Sequence, residues 1–264
     1  MIDEPTIWHY GLMAERWAEF LQETPELAFF HQQIARYGEP VLDLACGTGR
    51  LLIPLLQAGI DVEGCDLSGD MLAHCRERAA QAGLTPRLYE QPMHAFDLPR
   101  TYRTITLCDS FGLAGSRQKD LETLRRCHAH LEAGGALVVN IEAEYAIPET
   151  WALWVQENRQ SLPWPWQEGR RRKAADGSEH RARFRILALD PLEQTYTREV
   201  HLEKWVAGAL VAEEAYTLSG RMYFKNELEW MLQVAGFREI TVRGDYSGEP
   251  ATAQHKQLVF TAIK

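Results

Sequence analysis

The sequence lacks several features that would mark it for a membrane or a nucleic acid. No apolar run approaches the roughly 20 residues that a membrane-spanning helix needs. The N-terminus carries Asp3 and Glu4 where a signal peptide would carry basic residues. Lys and Arg number 28 against 37 Asp and Glu, so the formal net charge is −9. An acidic balance argues against a dedicated nucleic-acid binder. We therefore expect a cytoplasmic protein that binds neither membranes nor nucleic acid.

Paired cysteines and metal-ligand spacings are also missing. The five cysteines form no C-x-x-C motif and are odd in number, which indicates reduced and mostly buried thiols. His128 and His130 are two residues apart on a predicted helix, so they point to different faces. We expect no metal site.

The chain has 264 residues, 45% of them hydrophobic, which is enough for one large domain with an insertion. From residue 40 to residue 142, short apolar runs alternate with helical spacing, which predicts right-handed βαβ units. The predicted strands are 41–45, 61–66, 87–90, 104–109 and 136–142, and the predicted helices are 51–58, 68–82 and 119–131.

The character of the sequence changes after residue 144. Four tryptophans lie between positions 151 and 166, followed by three alternating segments at 181–189, 195–206 and 210–219. This alternation predicts an inserted antiparallel sheet. A helix at 226–235 and strands at 239–243 and 257–263 then return to the α/β pattern. We predict an α/β protein with a doubly wound, mostly parallel seven-stranded sheet. Residues 40–144 and 220–264 form its core, residues 145–219 the insertion, and residues 1–39 a helical N-terminal segment.

The stretch V-L-D-L-A-C-G-T-G-R, residues 41–50, has the form of a strand that leads into a ligand-binding turn. A dinucleotide fingerprint would need a third glycine where this chain has Leu52, and a phosphate loop would need G-K-S or G-K-T. Asp43 precedes the turn, and Asp66 ends the second predicted strand. An acid at the position of Asp66 suits a ribose diol, and an acid at the position of Asp43 suits an ammonium group. The site thus fits S-adenosylmethionine better than a phosphate ligand.

Residues 41–50, together with G-C-D-L-S-G-D-M-L at residues 64–72, resemble the first two motifs of class I S-adenosylmethionine-dependent methyltransferases. The resemblance implies that Asp43 orients the amino group, Asp66 binds the ribose, and Leu67 and Met71 line the adenine side. The implied cofactor-binding residues are Tyr10, Asp43, Ala45, Gly47, Gly49, Asp66, Leu67, Met71, Met93, His94 and Asp109.

The third motif departs from the family pattern. Pro92 stands where these enzymes usually carry an acid that binds the adenine amino group. The backbone N–H of Met93 or His94 remains available to a ring nitrogen.

The resemblance implies methyl transfer to a small-molecule acceptor, on nitrogen or oxygen, with S-adenosylhomocysteine as product. It also implies an N-terminal helical lid, with Tyr10 as its candidate contact. We expect the inserted sheet either to cover the substrate or to form a homodimer. No catalytic residue is assigned, although Asp109, His9 and His94 are expected near the pocket edge.

The sequence leaves two other functions open. A non-catalytic binder of S-adenosylmethionine or S-adenosylhomocysteine would act through dimer contacts and methylate nothing. A nicotinamide oxidoreductase is disfavoured by Leu52 at the third glycine position.

Overall fold

The computed structural model describes residues 9–21 and 23–264. Within them, the helices are α1 (Gly11–Phe20), α2 (Leu27–Tyr37), α3 (Leu52–Gln57), α4 (Gly69–Gln81), α5 (Arg117–His130), α6 (Pro148–Ala152), α7 (Gln156–Arg159) and α8 (Lys225–Val234). The strands are β1 (Val41–Leu44), β2 (Val62–Asp66), β3 (Arg87–Glu90), β4 (Tyr102–Leu107), β5 (Leu131–Glu142), β6 (Arg172–Lys173), β7 (Glu179–Asp190), β8 (Thr195–Val206), β9 (Ala209–Arg221), β10 (Arg238–Gly244) and β11 (Gln257–Ile263).

Seven strands form a central sheet in the order β3-β2-β1-β4-β5-β11-β10. The first five of these are parallel, and β11 is antiparallel to both of its neighbours. The predicted doubly wound, mostly parallel seven-stranded sheet is therefore confirmed. Because β1, β2, β4 and β5 run in the same direction, the residues that follow them meet at one edge.

The insertion forms a separate antiparallel sheet in the order β6-β7-β8-β9. The sequence predicted three of these strands and missed β6, which has only two residues. It also missed α6 and α7, which are too short to show a helical period. Strand β9 continues to Arg221, two residues beyond the predicted segment, and the Arg221 N–H donates to the Gly112 carbonyl of the central domain.

The core lies on both faces of the central sheet. All four residues of β1 are buried, as expected for a parallel strand covered by helices on both sides. Helix α2 packs Phe29, Phe30 and Ile34 against one face. On the other face, α5 and α8 pack Leu124, Leu228 and other apolar side chains. Each such side chain contributes about 1.5–3 kcal/mol when fully buried.

Helix α1 lies between the central domain and the second sheet. Its Leu12 and Met13 pack in one apolar cluster with residues of the second sheet. The Gly11 N–H donates to Asp70 Oδ2 of α4 at 2.7 Å, and the Leu12 N–H donates to Glu214 Oε2 of β9 at 2.7 Å. Two carboxylates thus bind the positive end of α1, one from each side.

None of the helices within residues 9–21 and 23–264 combines the length and the apolar character needed to cross a bilayer.

Candidate active site

A cavity of about 860 Å³ opens at the carboxyl edge of the central sheet. Its wall includes residues that follow β1, β2, β3, β4 and β5, together with residues of α1, β8 and β9. This volume lies within the usual range of small-molecule and cofactor sites.

Nine of the eleven predicted cofactor-binding residues line this cavity: Asp43, Ala45, Gly47, Asp66, Leu67, Met71, Met93, His94 and Asp109. Gly49 and Tyr10 do not. The four tryptophans at positions 151, 154, 164 and 166 also lie outside the wall, whereas Trp17 of α1 belongs to it.

The two glycines of the turn after β1 serve different purposes. Gly47 has a φ of +54°, and a Cβ atom added there would have no heavy atom within 4 Å, so its backbone faces open space. Gly49 has a φ of +80°, and a Cβ atom there would lie 2.6 Å from the Cys75 Sγ of α4. Gly49 therefore lets the turn pack against α4, while Gly47 leaves the cavity wall open to a ligand.

The carboxylate of Asp66 connects the turns that follow β1 and β2. Its Oδ2 accepts from the Gly47 N–H at 2.8 Å, and its Oδ1 accepts from the Ser68 N–H at 2.8 Å. Burial raises the pKa of Asp66, and these backbone donors oppose the shift. Ser68 in turn caps α4 by accepting from the Met71 N–H at 3.1 Å.

Asp43 is a buried acid in the floor of the cavity. It is 3% exposed, and its Oδ1 accepts a hydrogen bond from Thr106 Oγ1 of β4 at 2.9 Å. Burial raises the pKa of Asp43 to about 7, while Thr106 and the Arg50 charge lower it. A cationic ligand group beside Asp43 would favour its ionised form.

Tyr10 lies close to this acidic region although it does not line the cavity. Burial raises the pKa of its hydroxyl, and the charges of Asp66, Glu90 and Asp70 raise it further. The preceding residue, His9, does line the cavity, and burial lowers its pKa to about 4. His9 is therefore neutral near pH 7.

Arg50 pairs with two acids, Glu26 just before α2 and Asp109 after β4. Its guanidinium forms an ion pair with Glu26, and its Nη2 lies 3.0 Å from Asp109 Oδ2 and 3.4 Å from Cys108 Sγ. Glu26, Cys108 and Asp109 have the spacing of a three-ligand metal site. Because Arg50 contacts all three, the positive charge that such a group would require is already present.

Asp109 is further fixed by Asn140 of β5. The Asn140 Nδ2 donates to Asp109 Oδ1 at 2.6 Å, and the Asp109 N–H donates to Asn140 Oδ1 at 2.8 Å. The backbone of Asp109 is left-handed, with a φ of 55°. Strain of this kind in a non-glycine residue often accompanies a functional site.

The loop after β3 brings Pro92, Met93 and His94 to the cavity wall. Burial lowers the pKa of His94, and the charge of Lys119 lowers it further.

The cavity wall also contains residues that the sequence did not single out. Glu142 ends β5, Glu144 follows it by two residues, and Tyr196 and Arg198 come from β8. The acids could have been found by the rule that identified Asp66, because they too lie at the carboxyl end of a parallel strand. The two β8 residues carry no such signal, since the position of the insertion depends on tertiary packing.

Comparisons with known proteins agree with this geometry. Residues 41–135 match the methyltransferase domain family. A Geobacillus sp. (strain WCH70) protein named as a methyltransferase is 23% identical over 266 residues, which cover 97% of each chain. The dTDP-3-amino-3,6-dideoxy-alpha-D-glucopyranose N,N-dimethyltransferase of Streptomyces fradiae is 35% identical over 123 residues, which cover 46% of each chain. The structure of an S-adenosylmethionine-dependent methyltransferase from Clostridium acetobutylicum superposes with a TM-score of 0.72 at 17% identity, covering 96% of this chain and 97% of that one.

Residues 41–135 therefore form a methyltransferase domain, and the chain has the fold of an S-adenosylmethionine-dependent methyltransferase. It is an enzyme, and the match favours methyl transfer over the non-catalytic and oxidoreductase alternatives.

The buried Asp43 predicts a pH-dependent stability of the ligand-free protein. Because its folded pKa is raised to about 7, the folded state holds a proton between about pH 4 and pH 7 that the unfolded chain has lost. This contribution is therefore lost as pH rises through that window. The uncharged Asp43→Asn variant should exceed the wild type in free energy of unfolding by about 1 kcal/mol or more at pH 8, with the gap closing towards pH 4.

Urea unfolding at the two pH values measures this gap. Asp97→Asn is the matched control, because the Asp97 side chain is 86% exposed. A gap that is the same at both pH values, or that also appears in the control, would contradict the assignment.

Proposed function

We propose that this enzyme transfers the methyl group of S-adenosylmethionine to a small-molecule acceptor. The observation that carries the proposal is the joint position of Asp43, Gly47 and Asp66 on one cavity, which continues past them to a polar wall formed in part by the second sheet. The bound sulfonium supplies an already activated methyl group. The protein then has to align the acceptor and exclude water.

The described side chains fit that cofactor. The Asp66 carboxylate accepts two backbone N–H groups and keeps lone pairs for the two ribose hydroxyls. The open backbone at Gly47 suits the methionine part, and Asp43 suits its ammonium group directly or through water. Leu67 is 38% exposed at the cavity wall, which an adenine ring would cover.

Met71, Met93 and His94 complete the proposed adenine side, together with Ala45 at the end of β1. Pro92 offers no carboxylate to the adenine amino group, so we propose that a backbone N–H of Met93 or His94 binds a ring nitrogen instead. Asp109, held by Arg50 and Asn140, lies towards the methionine side. The role of Gly49 in this site is indirect, through the packing of the turn on α4.

The acceptor is proposed to be a small molecule methylated on nitrogen or oxygen. The similarity to the Streptomyces fradiae enzyme, which is named for N,N-dimethylation of a nucleotide-linked amino sugar, supports this class. The second sheet, residues 145–219, would then act as the substrate cover over the core of residues 40–144 and 220–264. Helix α1, held by Asp70 and Glu214, would act as the lid within the N-terminal segment 1–39.

We also propose a homodimer formed through β9. This strand is at one edge of the second sheet, and its exposed residues include Leu210 (45%) and Val211 (56%). Edge strands with apolar side chains readily pair with another chain.

Light scattering should give twice the chain mass for the wild type and a smaller mass for Val211→Lys. A monomeric wild type would contradict the proposal.

A cytoplasmic location is proposed from the thiols. All five cysteines are free and four are buried, which favours a reducing compartment. Recovery of the protein in an extracytoplasmic fraction of its source cells would overturn this proposal.

The ribose assignment predicts a specific loss of cofactor affinity. Asp66→Ala removes two hydrogen bonds to a charged acceptor, which are worth about 1.5–3 kcal/mol each. The affinity for S-adenosylhomocysteine, measured by calorimetry, should fall by more than about tenfold. Asp97→Ala should leave it unchanged. Equal affinity of Asp66→Ala and wild type would show that the ribose does not bind there, provided that circular dichroism shows both proteins folded.

A further inference from the structure

One part of the cavity wall combines two carboxylates with one guanidinium. Glu142 ends β5, Glu144 follows two residues later, and Arg198 and Tyr196 face them from β8. The Arg198 charge lowers the pKa of both acids. Its guanidinium carbon lies 5.2 Å from the centroid of the Tyr196 ring. These four residues form what we call the acid wall.

The two carboxylates of the acid wall repel each other. Burial and the negative charge of Glu142 together raise the pKa of Glu144 to about 7, against the opposing effects of Thr150 of α6 and Arg198. Burial also raises the pKa of Glu142, with a smaller contribution from Asp109. Glu144 is therefore a stronger base than an ordinary glutamate, and it works near neutral pH.

The charges of the acid wall do not balance. When both acids are ionised, the two carboxylates of the acid wall outnumber its one guanidinium. A monovalent cation in the acceptor would balance the charge of the second carboxylate. An ammonium group also supplies the hydrogen-bond donors that carboxylates require.

Asp109, His9 and His94 are less suitable than Glu144 as proton acceptors. Asp109 is held in an ion pair with Arg50 and a double hydrogen bond with Asn140. His9 is a weak base because burial lowers its pKa to about 4. His94 lies beside the positive charge of Lys119, which disfavours proton uptake.

We propose that Glu142 and Glu144 bind the amino group of the methyl acceptor and that Glu144 accepts its proton. This inference rests on the proposed function and narrows the acceptor from nitrogen or oxygen to an amine.

The proton step balances as follows. The bound ammonium gives one proton to the Glu144 carboxylate, which leaves a neutral amine with a free lone pair. That lone pair forms the new carbon–nitrogen bond as the methyl–sulfur bond breaks, and sulfur keeps the electron pair of that bond. The product is a methylated ammonium, and Glu144 releases its proton to water.

Binding to the protein saturated with S-adenosylhomocysteine tests the amine preference. The probes are dTDP-3-amino-3,6-dideoxyglucose and its 3-hydroxy counterpart, which differ only at one amino group. The wild type should bind the amine at least about tenfold more tightly. Glu142→Gln combined with Glu144→Gln should bind the two probes equally, and Glu144→Asp should keep part of the preference.

Glu149→Gln is the matched control, because Glu149 belongs to α6 and does not line the cavity. It should keep the wild-type preference. All variants should bind S-adenosylhomocysteine within twofold of the wild type, which shows that they are folded. Equal binding of the two probes by the wild type, binding of neither, or a preference that survives in the double variant would contradict the proposal.

Turnover of the amine probe tests the proton step. The wild-type rate should rise with pH through the ionisation of one group near pH 7. Glu144→Gln should lose this rise with pH, and its rate should be lower by about 10²–10⁴-fold. A bound amine that the wild type does not methylate, or an unchanged pH profile in Glu144→Gln, would contradict the role of Glu144. Failure of the wild type to bind S-adenosylhomocysteine would instead overturn the proposed function.

Discussion

The hydrogen bonds of the Asp66 carboxylate organise this end of the molecule. Asp66 accepts from the Gly47 N–H after β1 and from the Ser68 N–H after β2, so it holds two turns at a fixed separation. Ser68 caps α4, and its hydroxyl also donates to the His9 carbonyl at the start of α1. One carboxylate therefore connects, through Ser68, the glycine turn, helix α4 and the residues just before α1.

The two sheets contribute different residues to the cavity wall. The carboxyl edge of the central sheet supplies the proposed cofactor contacts, and the second sheet supplies Tyr196 and Arg198 opposite Glu142 and Glu144. Helix α1 packs between them. A common methyltransferase core could acquire its own acceptor in this way, because substitutions at Tyr196 and Arg198 in the insertion would leave the turn at Gly47 in place.

Local patterns predicted the central domain well, because parallel strands, glycine turns and helix caps depend on neighbouring residues. The bounds of β8 and β11 were predicted as observed. Tertiary packing decided the rest. Gly49 packs on Cys75 instead of facing the cavity, and the tryptophans between 151 and 166 lie outside it. Arg198 belongs to the site only because tertiary packing brings β8 into the same cavity wall as Glu142 and Glu144, and no periodicity of the sequence predicts that approach.

A crystal structure with bound S-adenosylhomocysteine is the most direct test of the central claim that this cavity holds the cofactor and presents its sulfur to the acid wall. We expect both ribose hydroxyls to lie within hydrogen-bond distance of the Asp66 carboxylate. We also expect the sulfur to face the space bounded by Glu142 and Glu144. A ribose bound away from Asp66, or a sulfur separated from both glutamates by protein atoms, would contradict the account.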